Sequence, residues 1–288
     1  MKKVFVIASL IVLLSSCSGS PFVMDTRDIN VYKDVSTGEE LDLHAEEYMI
    51  IDMSDLEILY AKDNDKRMYP ASLTKLMTMD TVLNLTEDLD QTSYVTVDQV
   101  RHLIEEDASL AYIQRESPYT LSDLLYALIL PSGADAALAL ENFYEERGID
   151  LIEEMNLQAH RLGCTNSNFI NSTGLHDDDH YSSLDDLLLV VRDLLRFEEA
   201  RNIMESMHHV LEDGTLVRST IGLVYREYDF KVLGGKTGYT PESGQSIIAL
   251  CKYRGKSYLV MAANAHGSYS LNQYWHYDDV EHVFEYLK

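Results

Sequence analysis

The chain has 288 residues and a formal net charge of −25 at pH 7, with 48 Asp and Glu residues against 23 Lys and Arg. This acidity argues against binding to nucleic acid and against electrostatic attachment to anionic lipid. A chain of this length can bury a sizeable core within one large domain.

The N-terminus has the pattern of a secretion signal, because two lysines precede an apolar run from Val4 to Leu14 that is too short to span a bilayer. The run leads into Leu14-Ser-Ser-Cys17, which resembles the lipobox of bacterial lipoproteins. That resemblance implies a lipid on Cys17 that anchors the protein to the cell membrane, outside the cytoplasm. The alternative is an ordinary secretory signal with an incidental cysteine. We therefore predict a signal peptide over residues 1–16, a tether over 17–40 and one folded domain over 41–288.

Hydrophobic periodicity divides the remaining chain into strands at both ends and helices between them. In chain order it predicts strands at 46–51 and 56–61, mostly helices from 73 to 201, strands at 226–232, 245–253 and 257–264, and a helix at 277–287. The terminal strands are therefore expected to build one antiparallel sheet, with the helical region inserted between them. This is an α/β (α+β) architecture.

Ser72-Leu-Thr-Lys75 lies at the start of the first predicted helix. Three residues are close to one helical turn, so Lys75 lies on the same face as Ser72 and can reach its hydroxyl. A lysine desolvated beside other cations can be neutral enough to take a proton from a serine, which is otherwise a poor nucleophile. For this motif alone, the alternative is a helix-capping serine and a solvated lysine.

Two further motifs, Ser132-Gly-Ala134 and Lys236-Thr-Gly238, follow in the order that is the signature of class A β-lactamases and penicillin-binding proteins. With the segments around them, from about Glu46 to the C-terminus, the chain resembles the low-molecular-mass penicillin-binding D-alanyl-D-alanine carboxypeptidases. The resemblance implies a β-lactamase/transpeptidase-like fold. It also implies a serine peptidase that removes the terminal D-alanine from peptidoglycan stem pentapeptides, is acylated by β-lactams and uses no cofactor.

The resemblance also implies the roles of individual residues. Ser72 would be the nucleophile, Lys75 the general base, and Ser132 the hydroxyl that passes a proton toward the leaving amine.

The third motif would bind the substrate. Lys236 and Thr237 would hold its terminal carboxylate, and Gly238 would let the strand approach the ligand closely, because glycine has no Cβ. The backbone N–H groups of Ser72 and Tyr239 would form the oxyanion hole.

One position departs from the family pattern, since Ala134 stands where an asparagine is usual. An alanine methyl can neither contact the substrate amide nor hold the lysine, and a lost transition-state hydrogen bond costs on the order of 3 kcal/mol, or roughly a hundredfold in rate. The alternative function is therefore a weak or inactive protein that binds stem peptides or senses penicillin. A β-lactamase is less favoured, because residues 169–180 lack the glutamate that class A enzymes use for deacylation.

The remaining clusters of histidine and the two remaining cysteines are interpreted as structural residues rather than metal ligands. His176-Asp-Asp-Asp-His180 could supply metal ligands, but the resemblance places it in the loop at the floor of the cleft, where histidines order the loop. No metal site is predicted. His208-His209 is expected to be a solvated surface pair. Cys164 and Cys251 are expected to be buried small hydrophobic side chains, with a disulfide between them left open.

Overall fold

The computed structural model describes residues 40–223, 229–267 and 269–287. The predicted signal peptide, Cys17 and all of the predicted tether except Glu40 lie outside these residues. The described part contains nine strands: β1 (Glu47–Asp52), β2 (Glu57–Lys62), β3 (Thr92–Ser93), β4 (Tyr119–Thr120), β5 (His208–Val210), β6 (Leu216–Arg218), β7 (Phe230–Thr240), β8 (Gly244–Tyr253) and β9 (Lys256–Ala265). It also contains eight α-helices: α1 (Thr74–Leu85), α2 (Val97–Glu105), α3 (Leu121–Ile129), α4 (Ala134–Glu145), α5 (Leu151–Leu162), α6 (Leu184–Leu194), α7 (Glu198–Glu205) and α8 (Trp275–Tyr286).

Five strands form one antiparallel sheet in the order β2-β1-β9-β8-β7. The N-terminal hairpin enters the sheet through β1, which pairs with β9 from the other end of the chain. Helices α1 to α7 lie between β2 and β7 in the sequence. The structure thus confirms the predicted fold, in which the terminal strands share a sheet and a helical region is inserted between them.

Strand β7 is the least accurately predicted element of the sheet. It begins at Phe230 and continues to Thr240, whereas the sequence predicts a strand that ends at Val232. The sequence does not indicate that the strand continues through Gly234 and Gly235, because glycine has a low strand propensity. β7 is an edge strand and carries the Lys-Thr-Gly motif.

The two faces of the sheet have separate cores. In β1, Met49 packs in the core that contains the helical region, and the next residue, Ile50, packs in the core that contains Val283 and Phe284 of α8. This alternation follows from the pleat, which directs successive side chains to opposite faces. Helix α1 is buried for most of its length. The helix that follows Ser72 therefore runs through the interior of the helical region.

The expectation of a solvated histidine pair is wrong for His209. His208 and His209 lie on β5, and only His208 is exposed. The His209 ring stacks on Tyr126 with centroids 3.8 Å apart, and its Nε2 lies 3.0 Å from Asp123 Oδ1. Within β5, which pairs with β6, His209 therefore packs against α3.

The two cysteines of the described chain are both free thiols. Cys251 is buried, as predicted, but Cys164 is only half-buried and its thiol donates to the carbonyl oxygen of Asp186 at 3.6 Å. Burial raises the pKa of Cys164 to about 12 and also raises that of Cys251, so neither is a candidate nucleophile. None of the helices in the described ranges is long and apolar enough to cross a bilayer.

Candidate active site

Ser72 lies in a single 3-10 turn, Ala71–Leu73, that leads directly into α1. Its side chain caps neither helical segment, so the capping alternative is wrong. One turn further on, Lys75 is 1% exposed and its Nζ donates to Ser72 Oγ at 3.0 Å. The structure thus brings the predicted nucleophile and base into hydrogen-bond contact, and the lysine is buried rather than solvated.

Burial also changes how Lys75 titrates. Desolvation lowers its pKa to about 7, although the negative charge of Asp135 acts in the opposite direction. Its Nζ also donates to the carbonyl oxygen of Thr173. Near neutral pH a substantial fraction of Lys75 is therefore uncharged and able to accept a proton, as a general base requires.

A second serine–lysine pair lies beside the same cavity, which its serine, Ser132, lines. Lys236 is fully buried, and its Nζ donates to Ser132 Oγ and to the Thr237 carbonyl oxygen, both at 2.8 Å. Burial lowers the pKa of Lys236 well below its ordinary value, and the charge of Lys75 lowers it further. Ser132 lies between α3 and α4 with φ +65, a left-handed conformation that is uncommon for serine and typical of functional sites.

Strand β7 contacts the turn that holds Ser72. A Cβ added to Gly238 would lie 3.0 Å from the carbonyl oxygen of Pro70, so this glycine lets β7 approach the turn itself as well as a ligand. Beside it, Thr237 Oγ1 lies 2.8 Å from Thr220 Oγ1. Tyr239 is 42% exposed at the mouth of the cavity. Thr237, Gly238 and Tyr239 thus line the same cavity as Ser72 and Ser132, and Lys236 contacts Ser132 directly.

The loop at the floor of the cleft is fixed against α1. Gly174 has φ +78, and an added Cβ would lie 2.0 Å from the Ala71 carbonyl oxygen. His180 is buried; its Nδ1 accepts from Ile170 N–H at 3.1 Å and its Nε2 lies 2.7 Å from Thr74 Oγ1. Burial lowers the pKa of His180 to about 4, which keeps the imidazole neutral. Both ring nitrogens are used within the protein, so His180 orders this loop and is not available to a metal.

The cavity between these elements has a volume of about 660 Å³. Besides the predicted residues it is lined by the start of α8, including His276 and Tyr277. His276 Nδ1 lies 2.8 Å from Gln245 Oε1, and the Tyr277 hydroxyl donates to the Thr220 carbonyl oxygen at 2.5 Å. Sequence reasoning missed both side chains, because no motif marks the C-terminal helix.

Ala134 is buried at the start of α4 and lines this cavity. The adjacent Asp135 points elsewhere, since its carboxylate accepts from the N–H groups of Ala111 at 2.8 Å and Ile113 at 3.2 Å. Asp135 therefore anchors the 108–113 segment and does not replace the missing asparagine amide.

A family model described as D-alanyl-D-alanine carboxypeptidase matches residues 34–266. The chain belongs to this family. It is 30% identical over 218 residues to the D-alanyl-D-alanine carboxypeptidase DacF of Bacillus subtilis, an alignment that covers 74% of this chain and 55% of that protein. It is 26% identical over 228 residues to DacA of Escherichia coli, covering 77% of this chain and 56% of the relative. The chain thus spans about half the length of the curated relatives it matches.

Solved structures confirm the fold. A Streptomyces DD-transpeptidase superposes with a TM-score of 0.74 at 24% identity, covering 86% of this chain and 98% of that one. A penicillin-binding protein of Listeria monocytogenes, solved in its ampicillin-bound form, superposes with a TM-score of 0.69 at 25% identity, again covering 86% and 98%. The penicillin-binding fold predicted from the three motifs is therefore correct.

Proposed function

We propose that this chain is a serine D-Ala-D-Ala carboxypeptidase that removes the terminal D-alanine from peptidoglycan stem pentapeptides. One observation carries the proposal: two serines line a single open cavity, and each is in hydrogen-bond contact with a buried lysine. One pair supplies a nucleophile and a base, and the other supplies a hydroxyl and a cation for a carboxylate. Membership of the family supports the same substrate class.

Acylation begins when neutral Lys75 takes the proton of Ser72. Ser72 Oγ then attacks the carbonyl carbon of the penultimate D-alanine, and the oxyanion is stabilised by the backbone N–H groups of Ser72 and Tyr239. Ser132 gives its proton to the leaving nitrogen and receives in turn the proton that Lys75 took from Ser72, the C–N bond breaks, free D-alanine departs, and Lys75 is neutral again. The shortened stem remains as an ester on Ser72.

Deacylation reverses the proton movements. A water molecule attacks the ester carbonyl, Lys75 accepts a proton from the water, and Ser72 recovers its own proton as the C–O bond breaks. The products are the stem tetrapeptide and the free enzyme. β-lactams acylate the same serine in this proposal, and their esters persist because residues 169–180 provide no glutamate for a second base.

The terminal carboxylate binds beside Lys236. A carboxylate in contact with this buried amine favours its protonated form, because an opposite charge counteracts desolvation. Thr237 and Thr220, whose hydroxyl oxygens are 2.8 Å apart, can donate to the same anion. The substrate peptide then lies along the exposed edge of β7, where it can pair as an added strand.

The decisive experiment measures D-alanine release from a stem pentapeptide by the purified full chain. Ser72→Ala should abolish release, whereas Ser54→Ala, in the exposed β1–β2 turn, should retain it. Release by the Ser72→Ala variant at the wild-type rate would refute the proposal.

Membrane attachment through Cys17 is a separate part of the proposal, supported by the sequence at residues 14–17. Radiolabelled palmitate should be incorporated into the wild type and not into Cys17→Ala, and the variant should leave the membrane fraction. A variant that stays in the membrane fraction would contradict a lipid anchor at this cysteine.

Ala134 favours a second candidate function, a protein that binds stem peptides or senses penicillin with little turnover. It predicts that the folded chain is labelled by penicillin at Ser72 but releases no D-alanine. The release experiment therefore separates the two functions directly.

A further inference from the structure

Three side chains that can bind metal meet outside the catalytic cavity. His44 lies just before β1, and Asp279 and His282 lie on α8, three residues apart and therefore on one face of the helix. One ligand atom from each residue lies within 4.8 Å of the other two. The family match ends at residue 266, so two of these residues lie beyond it.

The carboxylate of this cluster is already held in place. Asp279 is fully buried; its Oδ1 accepts from His44 N–H at 2.7 Å and its Oδ2 from Ala45 N–H at 2.8 Å. Each carboxylate oxygen has two lone pairs, so each can still bind a cation. A cation against this fully buried carboxylate would compensate its desolvation.

The imidazoles are arranged around this carboxylate. The His44 ring stacks on Trp275 with centroids 4.6 Å apart and planes at 12°, which restricts its orientation. The His282 ring lies 6.2 Å from the His44 ring. His44 is exposed and His282 is half-buried, so the site is open to solvent.

We propose that His44, Asp279 and His282 bind a divalent transition metal ion, for which Zn²⁺ is the best match. Two imidazoles and one carboxylate are typical zinc ligands, whereas Mg²⁺ and Ca²⁺ prefer oxygen ligands alone. In a tetrahedral zinc site, ligand atoms about 2.0–2.2 Å from the ion lie roughly 3.4 Å from one another. The ligand atoms here lie within 4.8 Å of one another, so the widest pair must close by up to about 1.4 Å, a shift to which rotation of the half-buried His282 ring can contribute.

Bound metal would join the segment before β1 to α8. The first turn of α8 also lines the catalytic cavity through His276 and Tyr277, so the ion would fix one wall of that cavity. The site takes no part in acyl transfer, and the inference is independent of the proposed function.

Isothermal titration of the metal-free full chain with zinc sulfate tests the proposal. His44→Gln and His282→Gln should each lower the zinc affinity of one saturable site. The loss should be at least roughly 10- to 100-fold, because removing a residue that only orients a metal ligand already costs that much. His102→Gln is the matched control, because His102 is an exposed histidine on α2. Asp279→Asn is a poorer test, since that carboxylate also holds two backbone N–H groups.

Thermal unfolding gives an independent measurement, because an ion that binds only the folded state raises the melting temperature. Zinc should raise it for the wild type and His102→Gln, and much less for His44→Gln and His282→Gln. The proposal is overturned if the wild type binds no zinc. It is also overturned if both histidine variants bind zinc as tightly as the control.

Discussion

The two serines that line the cavity belong to serine–lysine pairs of nearly equal geometry and different origin. Lys75 Nζ lies 3.0 Å from Ser72 Oγ across one helical turn, and Lys236 Nζ lies 2.8 Å from Ser132 Oγ across 104 residues. Burial lowers the pKa of both lysines. For Lys75 the charge of Asp135 limits the decrease to a pKa of about 7, whereas for Lys236 the charge of Lys75 adds to it.

This difference separates the tasks of the two lysines. A lysine that titrates near neutral pH can exchange protons with a serine hydroxyl, as catalysis requires. A fully buried lysine whose pKa is lowered by burial and by the charge of a second lysine is stabilised when an anion arrives to provide the opposite charge. We therefore assign proton transfer to the local pair, Ser72 and Lys75, and carboxylate binding to the long-range pair, Ser132 and Lys236.

The largest effect is expected for Lys75→Ala. Loss of the general base should slow acylation of Ser72 by a fluorescent penicillin by about 10²- to 10⁴-fold. Lys231→Ala, an exposed lysine on β7, is the control and should label at the wild-type rate. A Lys75→Ala variant that labels as fast as this control would assign the base to another group.

Lys236→Ala should lose about tenfold to a hundredfold in kcat/KM for a stem peptide, as expected for a hydrogen bond to a charged group. The same peptide with a terminal carboxamide should show a much smaller loss, because it lacks the anion that Lys236 binds. This comparison is a double-mutant cycle with one change on the substrate. Equal losses with both peptides would break the assignment of Lys236 to the carboxylate.

Ala134→Asn should raise D-alanine release by up to about a hundredfold if the missing amide limits turnover. The cavity that Ala134 lines has room for the larger side chain. Ala134→Leu is the matched control, because leucine has nearly the same shape as asparagine and no amide. A similar gain in both variants would show that the effect comes from packing.

The origin of each pair also explains what the sequence could predict. Ser72 and Lys75 could be placed together from spacing alone, because one helical turn determines their separation. Ser132 and Lys236 could be joined only through the family resemblance, since their contact depends on how β7 meets the α3–α4 turn. His276 could not be placed in the cavity from the sequence, because its position depends on how α8 packs against the sheet. No short sequence motif predicts that packing.

The pH dependence of acylation should distinguish the roles of Lys75 and Lys236. Lys75 must be uncharged to accept a proton, so the acylation rate should rise about tenfold per pH unit below its pKa of about 7 and level off above it. The Lys236→Ala variant should show the same rise in rate with pH, because we assign that rise to Lys75. Penicillin acylation measured from pH 5 to 9 tests both statements, and a flat profile would contradict a lysine base.

Asp80, also on α1, tests whether burial controls titration in this core. Burial raises its pKa to about 8, with the charge of Asp193 acting in the same direction. The folded state therefore holds a proton that the unfolded state loses above about pH 4, so the stability from this group declines as pH rises from 4 to 8. Asp80→Asn removes this titration. Between pH 5 and 8 the wild type should lose up to about 1.4 kcal/mol per pH unit relative to Asp80→Asn in urea unfolding, and parallel curves would show that Asp80 is ionised in the fold.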